Sequence, residues 1–395
     1  MSEPAMAWQA NARLLLPLVA VFVVAAGYGV VLPVLPFVLE RLLDGAGRET
    51  IAQHTGGLTG VYMLALFLFA PVWGYFSDRV GRRAAMLLGL AGFGVSMVLF
   101  GFARDLAFAY ALRALAGLSA AAVLPVALAA VADQGGSEQR ARGFAWLSAA
   151  SALGFLLGPA LSGWLAEAQL MLPFYAVAAM GGAVWLAVWL APADVRWQRR
   201  SADAGMPSAG APSLAGLLFL SLLVMYGLGS FEVAIALQGQ QMLGLGPREV
   251  GFMFVECSLV MILVQIFIFM PLFRRVGGSL LVGAFLTMAA GSALLPYAPN
   301  YYVLLLGVGL ISASSGILIP ALAYLTSLAA GTRQGATLGA QTAIANLGQA
   351  AGSAAAGWLF GTATGAPFWV AAGLLGLGAA AALHSRCLEK VPRDA

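Results

Sequence analysis

Charged residues are scarce in this sequence. Only 9% of its 395 residues are Asp, Glu, Lys or Arg, whereas 61% are hydrophobic. A soluble domain carries about 25% charged residues, which it needs to cover its surface. So little charge excludes an ordinary soluble protein, and the mean hydropathy of +0.91 agrees. We therefore predict a protein that crosses the membrane many times.

Residues that hold metals and nucleotides are scarce as well. The two cysteines, Cys257 and Cys387, lie far apart in the chain, which argues against a structural disulfide. The two histidines, His54 and His384, offer no cluster for a metal site. The chain lacks the G-x-x-x-x-G-K-[ST] phosphate loop, so ATP-driven pumping is unsupported. We predict no metal, no cofactor, no nucleic-acid partner and no enzymatic activity.

Long hydrophobic runs dominate what remains. A spanning helix needs about 20 mostly apolar residues, and the runs are too continuous for the alternating pattern of a β-barrel. The N-terminus lacks the basic start and cleavage site of a signal peptide, so the first run is expected to remain as a span. We predict an all-α membrane protein with twelve spans, near 14–39, 56–76, 84–103, 106–132, 142–166, 170–191, 214–241, 249–271, 279–297, 300–328, 335–360 and 366–385.

Positive charges are divided unevenly between the two sides of these spans. With the N-terminus inside, fifteen Lys and Arg lie on the inner side and four on the outer side, while Arg113 lies within a span. Such a bias is typical of cytoplasmic loops. We predict that both termini are cytoplasmic and that the protein lies in the inner cell membrane.

The chain reads as two related halves. The stretch 192–213 is the longest polar connection, and its Pro, Gly, Ser and Ala residues are typical of a linker. It separates a predicted six-helix bundle at 1–191 from a second one at 214–395. GFLLGPALSGW at 154–164 and GQAAGSAAAGW at 348–358 share three glycines and a tryptophan, offset by 194 residues. Chance similarity of Ala/Gly-rich helices is the alternative to a parallel repeat, which is typical of secondary transporters.

The stretch GYFSDRVGRR, from Gly74 to Arg83, falls between the second and third predicted spans. Topology explains its arginines but not Asp78 or Gly81. Its pattern resembles the signature loop of the major facilitator superfamily. RALAG at 113–117, GFLLGPALSGW and GYGVVLPVLP at 27–36 are similar to motifs of its twelve-helix drug:proton antiporters, of which the tetracycline exporters are the nearest group. Those exporters carry an acid in the first span that VFVVAAGYG lacks, so tetracycline is a poor candidate substrate.

The resemblance implies a fold that works by alternating access and a set of conformational residues. Asp78 would sit beside the cytoplasmic start of span eleven, and Arg79 or Arg82 would reach acids such as Asp133. In span five, glycines allow close helix packing and Pro159 bends the helix, and the family implies that this element governs antiport. The conformational set is Gly74, Asp78, Arg79, Gly81, Arg82, Asp133, Gly154, Gly158, Pro159 and Gly163.

Three charges lie inside predicted spans, where charge is costly. Arg113, Glu232 and Glu256 lie at about 10, 13 and 10 Å from the outer ends of their spans. An apolar cavity favours the protonated form of a carboxyl group, and a cation favours the ionised form. We predict that Glu232 and Glu256 carry the proton and that Arg113 modulates them. A static cluster that only fixes helix packing is the alternative.

The predicted central cavity is aromatic with a few amides, which suits amphipathic or cationic organic molecules. Its candidate lining residues are Tyr28, Tyr62, Trp146, Tyr226, Phe231, Gln238, Gln341 and Asn346. We predict a monomeric, proton-driven exporter of such small molecules, embedded in the lipid bilayer. The alternatives are an exporter of a metabolite, siderophore or lipid, a proton-coupled uptake symporter, and a receptor or scaffold, which would not need the buried charges.

Overall fold

The computed structural model describes residues 3–132, 137–191, 213–276, 279–330 and 334–384. Within these residues every regular element is helical. The α-helices are α1 (Glu3–Leu42), α2 (Arg48–Val80), α3 (Arg82–Phe100), α4 (Leu106–Ala120), α5 (Val123–Ala132), α6 (Ser137–Ala168), α7 (Leu172–Leu190), α8 (Leu214–Leu243), α9 (Pro247–Leu263), α10 (Met270–Val276), α11 (Ser279–Leu294), α12 (Tyr301–Ala330), α13 (Gln334–Thr362) and α14 (Ala366–His384).

These helices follow the twelve predicted spans in order, which confirms the predicted fold class. In the described part of the chain, eleven helical segments are long and apolar enough to cross a membrane. The remaining span is α13, which has 29 residues. Its hydropathy is lower because it carries amides at Gln341, Asn346 and Gln349.

Two spans are interrupted. The fourth breaks between α4 and α5, because Pro125 has no N–H for the carbonyl of Ala121 and its ring would clash with that carbonyl. The eighth contains a π-helical segment, Val264–Phe269, between α9 and α10. Gly316 of α12 lies where α9 meets this segment, since a Cβ there would come within 2.7 Å of the Met261 carbonyl oxygen and within 3.2 Å of the Val264 Cβ.

The helices form two groups, which we call the first group (α1–α7) and the second group (α8–α14). We call the end where α1 begins and α14 ends the terminal face, and the other end the opposite face. The turn between α2 and α3 lies at the terminal face, and the connections from α1 to α2 and from α8 to α9 lie at the opposite face. The predicted linker lies outside the described residues except for Ser213, so the domain boundaries stay a prediction.

The two repeated glycine motifs make equivalent contacts within their groups. In α6, a Cβ at either of the first two glycines would meet main-chain atoms of α1, and the first two motif glycines of α13 meet α8 in the same way. The pairs are Gly154 with Phe22, Gly158 with Ala26, Gly348 with Leu222 and Gly352 with Tyr226.

The third glycine of each motif crosses to the other group. Gly163 of α6 lies against Arg248 of α9, and Gly357 of α13 lies against Ala52 and Gly56 of α2. Because the same three positions have the same kinds of neighbours in both motifs, α6 packs against α1 as α13 packs against α8.

The two groups are closed together at the opposite face. Of the eleven buried residues of α2, ten lie between Ile51 and Ala65, where α13 packs against this helix. Further along α2, Gly74 lies on the same side of the helix as Gly56, five turns on, and a Cβ there would meet open space. Polar contacts add to the closure, since Gln240 Nε2 donates to Glu40 Oε2 at 2.8 Å. The space between the groups therefore opens at the terminal face.

Candidate functional site

A buried carboxylate lies where α1, α8 and α13 meet. Glu232, in the middle of α8, is 9% exposed. Its Oε2 accepts a hydrogen bond from the Tyr28 hydroxyl at 2.6 Å and another from Gln349 Nε2 at 2.9 Å. Gln349 Nε2 also donates to the Tyr28 hydroxyl oxygen at 3.0 Å. Since α1 belongs to the first group and the other two helices to the second, this triad joins the groups.

The two oxygens of Glu232 differ. Both donors act on Oε2, and no described residue donates to Oε1. Donors fixed on one oxygen stabilise the ionised carboxylate and fix its orientation. The other oxygen remains available to a proton or to a bound cation.

Aromatic rings extend the triad into the first group. The Tyr28 ring stacks on Tyr62 with centroids 5.4 Å apart, and Phe155 meets Tyr28 edge-on at 5.8 Å. The guanidinium of Arg113 lies over the other part of this stack, 4.5 Å from the Tyr62 centroid. Arg113 and Glu232 therefore contact the same pair of stacked tyrosines, Arg113 at the Tyr62 ring and Glu232 at the Tyr28 hydroxyl.

Arg113 is held firmly but incompletely paired. Its side chain is 1% exposed, and Nε donates to the carbonyl of Leu58 at 3.3 Å. The two terminal guanidinium nitrogens have no hydrogen-bond partner among the described residues. A buried positive charge whose donors are not all satisfied is costly unless it acts on a nearby negative charge.

Small residues make this assembly possible. A Cβ at Gly229 of α8 would come within 3.0 Å of the Gln349 Cα and Cγ, so glycine lets α13 place its amide beside Glu232. A Cβ at Gly117 of α4 would meet the carbonyl of Tyr62, so this glycine of the RALAG motif lets α4 approach α2.

Glu256 lies apart from this triad. It is half-buried on α9, and its Oε2 is covered without a hydrogen-bond partner among the described residues. Its Oε1 lies against α12, 3.4 Å from where a Cβ at Gly309 would be. The same side of α9 carries Phe252, Leu259 and Leu263, each more than 40% exposed. The structure joins Arg113 with Glu232 through tyrosines but does not bring Glu256 into hydrogen-bonding contact with either.

The predicted cavity residues separate into those at the triad and those elsewhere. Tyr28, Tyr62 and Phe231 are each 2% exposed, and the first two belong to the site. The half-buried members of the set are Tyr226, Asn346 and Gln341, whose Nε2 donates to Ser221 Oγ at 3.1 Å within the second group.

Two of these predictions need correction. Trp146 is 53% exposed and lies seven residues, two helical turns, before the exposed Leu153, on the outer side of α6. Gln238 points into the second group, where its Nε2 donates to the carbonyl of Leu295 at 2.9 Å. Sequence alone placed both near the cavity because it shows depth along a helix but not the rotation of the helix about its axis.

The charged loop lies at the turn between α2 and α3. Gly81 has φ +101° there, a conformation that favours glycine. Asp78 forms an ion pair with Arg82, which also donates to Ser77 Oγ at 2.6 Å. Arg79 stacks on the ring of Tyr75, 4.3 Å from its centroid. Asp133 lies outside the described residues, and a Cβ at Gly74 would meet open space.

Sequence reasoning missed Gln349. It lies inside the GQAAGSAAAGW motif, and the glycines of this motif predict helix packing without indicating a role for the amide. The repeat offset of 194 places Phe155 at the equivalent position of α6. Both residues contact Tyr28, so comparing the two motifs position by position could have marked the amide as the unusual member.

A buried carboxylate bonded across two groups of membrane-spanning helices is typical of the ion or substrate pathway of a membrane transporter. The Major Facilitator Superfamily matches residues 18–231, and the chain belongs to this family. The family predicted from the motifs is thereby confirmed, and the protein is a multi-pass membrane transporter rather than an enzyme.

Known relatives extend over nearly the whole chain. Multidrug resistance protein 1 of Bacillus subtilis (strain 168) is 28% identical over 384 residues, which are 94% of this chain and 95% of the relative. Quinolone resistance protein NorA of Staphylococcus aureus (strain COL) is 26% identical over 366 residues, 90% and 91% of the two chains.

Solved structures share the fold. A D-xylose-proton symporter has a TM-score of 0.75 at 13% identity and covers 96% of this chain and 99% of its own. The human organic anion transporter MFSD10 (TETRAN) has a TM-score of 0.70 at 22% identity, with 94% and 99% covered.

Proposed function

We propose that this protein exports small amphipathic organic compounds, including drug-like cations, in exchange for protons by alternating access. The observation that carries the proposal is Glu232, a buried carboxylate bonded across the two helix groups. An ionisable residue inside the membrane is costly and is retained where it acts on an ion or substrate. The names of the bacterial relatives, which concern multidrug and quinolone resistance, favour drug-like substrates.

Glu232 is the proposed proton carrier. Its Oε1 takes up the proton, while Oε2 stays bonded to Tyr28 and Gln349. The ionised form attracts a lipophilic cation, and the protonated form does not. Because one carboxylate serves both, binding of the proton and binding of the substrate compete, and this competition couples the two movements.

Arg113 is proposed to modulate this carrier. It lies against the ring of Tyr62, and its positive charge acts on the hydroxyl of Tyr28, which donates to Glu232. A positive charge at this place favours release of the proton from the carboxyl group. Glu256 remains a predicted second carrier, although it has no contact with the triad.

The terminal face is proposed to be the cytoplasmic one, as the distribution of arginines predicts. The described conformation, closed at the opposite face, is then the one that receives substrate from the cytoplasm. Closing the terminal face and opening the opposite one would release the substrate outside and admit a proton.

A reconstituted vesicle assay tests the proposal. Protein is placed in liposomes with an acidic lumen, and ethidium, tetraphenylphosphonium or norfloxacin is added outside. Protons leave the lumen down their gradient, so we expect the compound to accumulate inside while the luminal pH rises. Absence of uptake with an acidic lumen, together with uptake when the outside is made acidic, would contradict exchange and support the symporter.

Asp78→Asn is expected to reduce transport while leaving membrane insertion intact. When the terminal face closes, Asp78 would meet the start of α13, where the helix dipole is positive, a contact that contributes about 1–2 kcal/mol when partly buried. Its loss should lower the closed population and the transport rate by about 5- to 30-fold. The control is Asp44→Asn, an exposed acid in the connection at the opposite face. Full transport by Asp78→Asn would show that the charges of this loop only orient the protein in the membrane.

A further inference from the structure

We propose that Tyr28 and Gln349 are positioning residues that keep the empty, ionised transporter closed at the opposite face and so prevent protons from leaking without substrate. This inference rests on the proposed proton exchange and deepens it. It concerns the two donors to Glu232 rather than the carboxylate itself.

The triad of Tyr28, Glu232 and Gln349 lies where the two helix groups must separate when the opposite face opens. Tyr28 is 2% exposed, Gln349 5% and Glu232 9%. A path from the opposite face to Glu232 requires α1 to separate from α8 and α13. That separation breaks both bonds of the Tyr28 hydroxyl, to Glu232 and to Gln349, because these two cross from one group to the other. The bond between Gln349 and Glu232 lies within the second group and can persist.

The strength of the triad depends on the charge of Glu232. A hydrogen bond to an ionised acceptor is roughly twice as strong as one between neutral partners. A proton on Oε1 would leave the donors in place on Oε2 but would remove the charge that strengthens their bonds. A substrate cation beside Oε1 would also offset the charge. The triad is therefore strongest when the transporter carries neither proton nor substrate.

This dependence is what an exchanger requires. If the empty, ionised form could open at the opposite face, it would collect a proton there and release it at the terminal face without moving substrate. A lock that holds only this form closed stops the leak and leaves the loaded forms free to change conformation. Gln349 suits the role because an amide donates at any pH.

The other ionisable groups around the triad come from three helices. The hydroxyl of Tyr62 on α2, the guanidinium of Arg113 on α4 and the thiol of Cys257 on α9 all interact electrostatically with Tyr28 or Glu232. Tyrosine and cysteine side chains ordinarily keep their protons below about pH 8, and arginine keeps its charge. Within the triad, Glu232 is therefore the group whose charge a proton changes.

The first test measures substrate-free proton leak in liposomes under an imposed pH gradient. Tyr28→Phe keeps the stacked ring and removes only the hydroxyl, and Gln349→Leu removes the amide. Loss of a bond to a charged group corresponds to about a 10- to 100-fold change in an equilibrium, and loss of a neutral bond to about a 2- to 10-fold change. We therefore expect the leak to rise by the larger factor in Tyr28→Phe and by the smaller factor in Gln349→Leu, which removes the neutral bond to Tyr28 across the groups. Ser258→Ala is the matched control, since Ser258 donates a neutral bond across the groups to the Phe155 carbonyl at 3.1 Å. Its leak should stay at the wild-type level.

The second test separates a lock from general loosening. Spin labels at the exposed positions 44 and 364 report the opening of the opposite face. In the wild type, acidification should increase the open population, and in Tyr28→Phe the open population should be high at every pH. A protein that is loosened but keeps the lock, as expected for Ser258→Ala, retains the wild-type response to pH.

The outcomes distinguish this inference from the proposed function. If Glu232→Gln is inactive but neither Tyr28→Phe nor Gln349→Leu leaks more or alters the pH response, the lock is refuted and the proton carrier stands. If Glu232→Gln still transports substrate in response to the pH gradient, the proposal that Glu232 carries the proton is refuted. Should Gln349→Leu fail to fold, Tyr28→Phe decides, because its ring contacts to Tyr62 and Phe155 remain.

Discussion

Replacing Glu232 with glutamine is expected to reduce pH-gradient-driven accumulation of substrate to the level of protein-free liposomes. Glutamine has nearly the same shape, and its carbonyl can still accept from Tyr28 and Gln349, so the helices should stay in place. It cannot bind or release a proton at this position. Substrate uptake and luminal pH, measured together, should both lose their response to the imposed gradient.

The control for this prediction is Glu167→Gln. Glu167 lies at the opposite face, about half exposed, and pairs with Arg248 at 3.7 Å. Exposed ion pairs contribute about 0–1 kcal/mol, so transport should be nearly unchanged. Equal protein yield and equal melting temperature for both variants would show that only the proton step differs. If Glu232→Gln retained gradient-driven transport, Glu232 would not be the proton carrier.

Gly357→Val is expected to favour the conformation that is open at the opposite face. A Cβ at Gly357 would meet the Ala52 carbonyl and the main chain of Gly56, and main-chain atoms of α2 cannot yield as a flexible side chain can. Overpacking of this kind costs about 1–3 kcal/mol. The closed population should fall by about 5- to 150-fold, and transport should fall with it. Spin labels at positions 44 and 364 should move apart.

Gly373→Val provides the matched control for this change. Gly373 lies on α14, and a Cβ there would meet open space. The same substitution should leave both the label distance and transport unchanged. If Gly357→Val keeps the wild-type label distance, the contact between α2 and α13 does not hold the opposite face closed.

Most of the fold could be predicted from sequence. A run of about 20 apolar residues has few alternatives to a spanning helix, because every backbone polar group must be satisfied inside lipid. The interruption at Ala121 was less evident, although Pro125 signalled it. The π-helical segment Val264–Phe269 also had a signal in the sequence, since Pro271 has no N–H for the carbonyl of Phe267.

The candidate site could be predicted in part. Glu232 and Arg113 were found because a charge inside an apolar span is unusual whatever its surroundings. The partner of Glu232 was not found, since Gln349 lies 117 residues away. A contact between helices so distant in sequence depends on how each helix is rotated, and apolar spans carry little pattern that reveals the rotation.

The sequence by itself determined the membrane class, the twelve spans, the motifs of the family and the presence of buried charge. These properties depend on local composition and order, and lipid allows few structures for such segments. The tertiary structure alone decided that Tyr28 and Gln349 act on one oxygen of Glu232, that Arg113 lies against the tyrosine stacked on Tyr28, and that Glu256 lies elsewhere. Those relations depend on close packing through glycines and on helix rotation, which are set by contacts between distant parts of the chain.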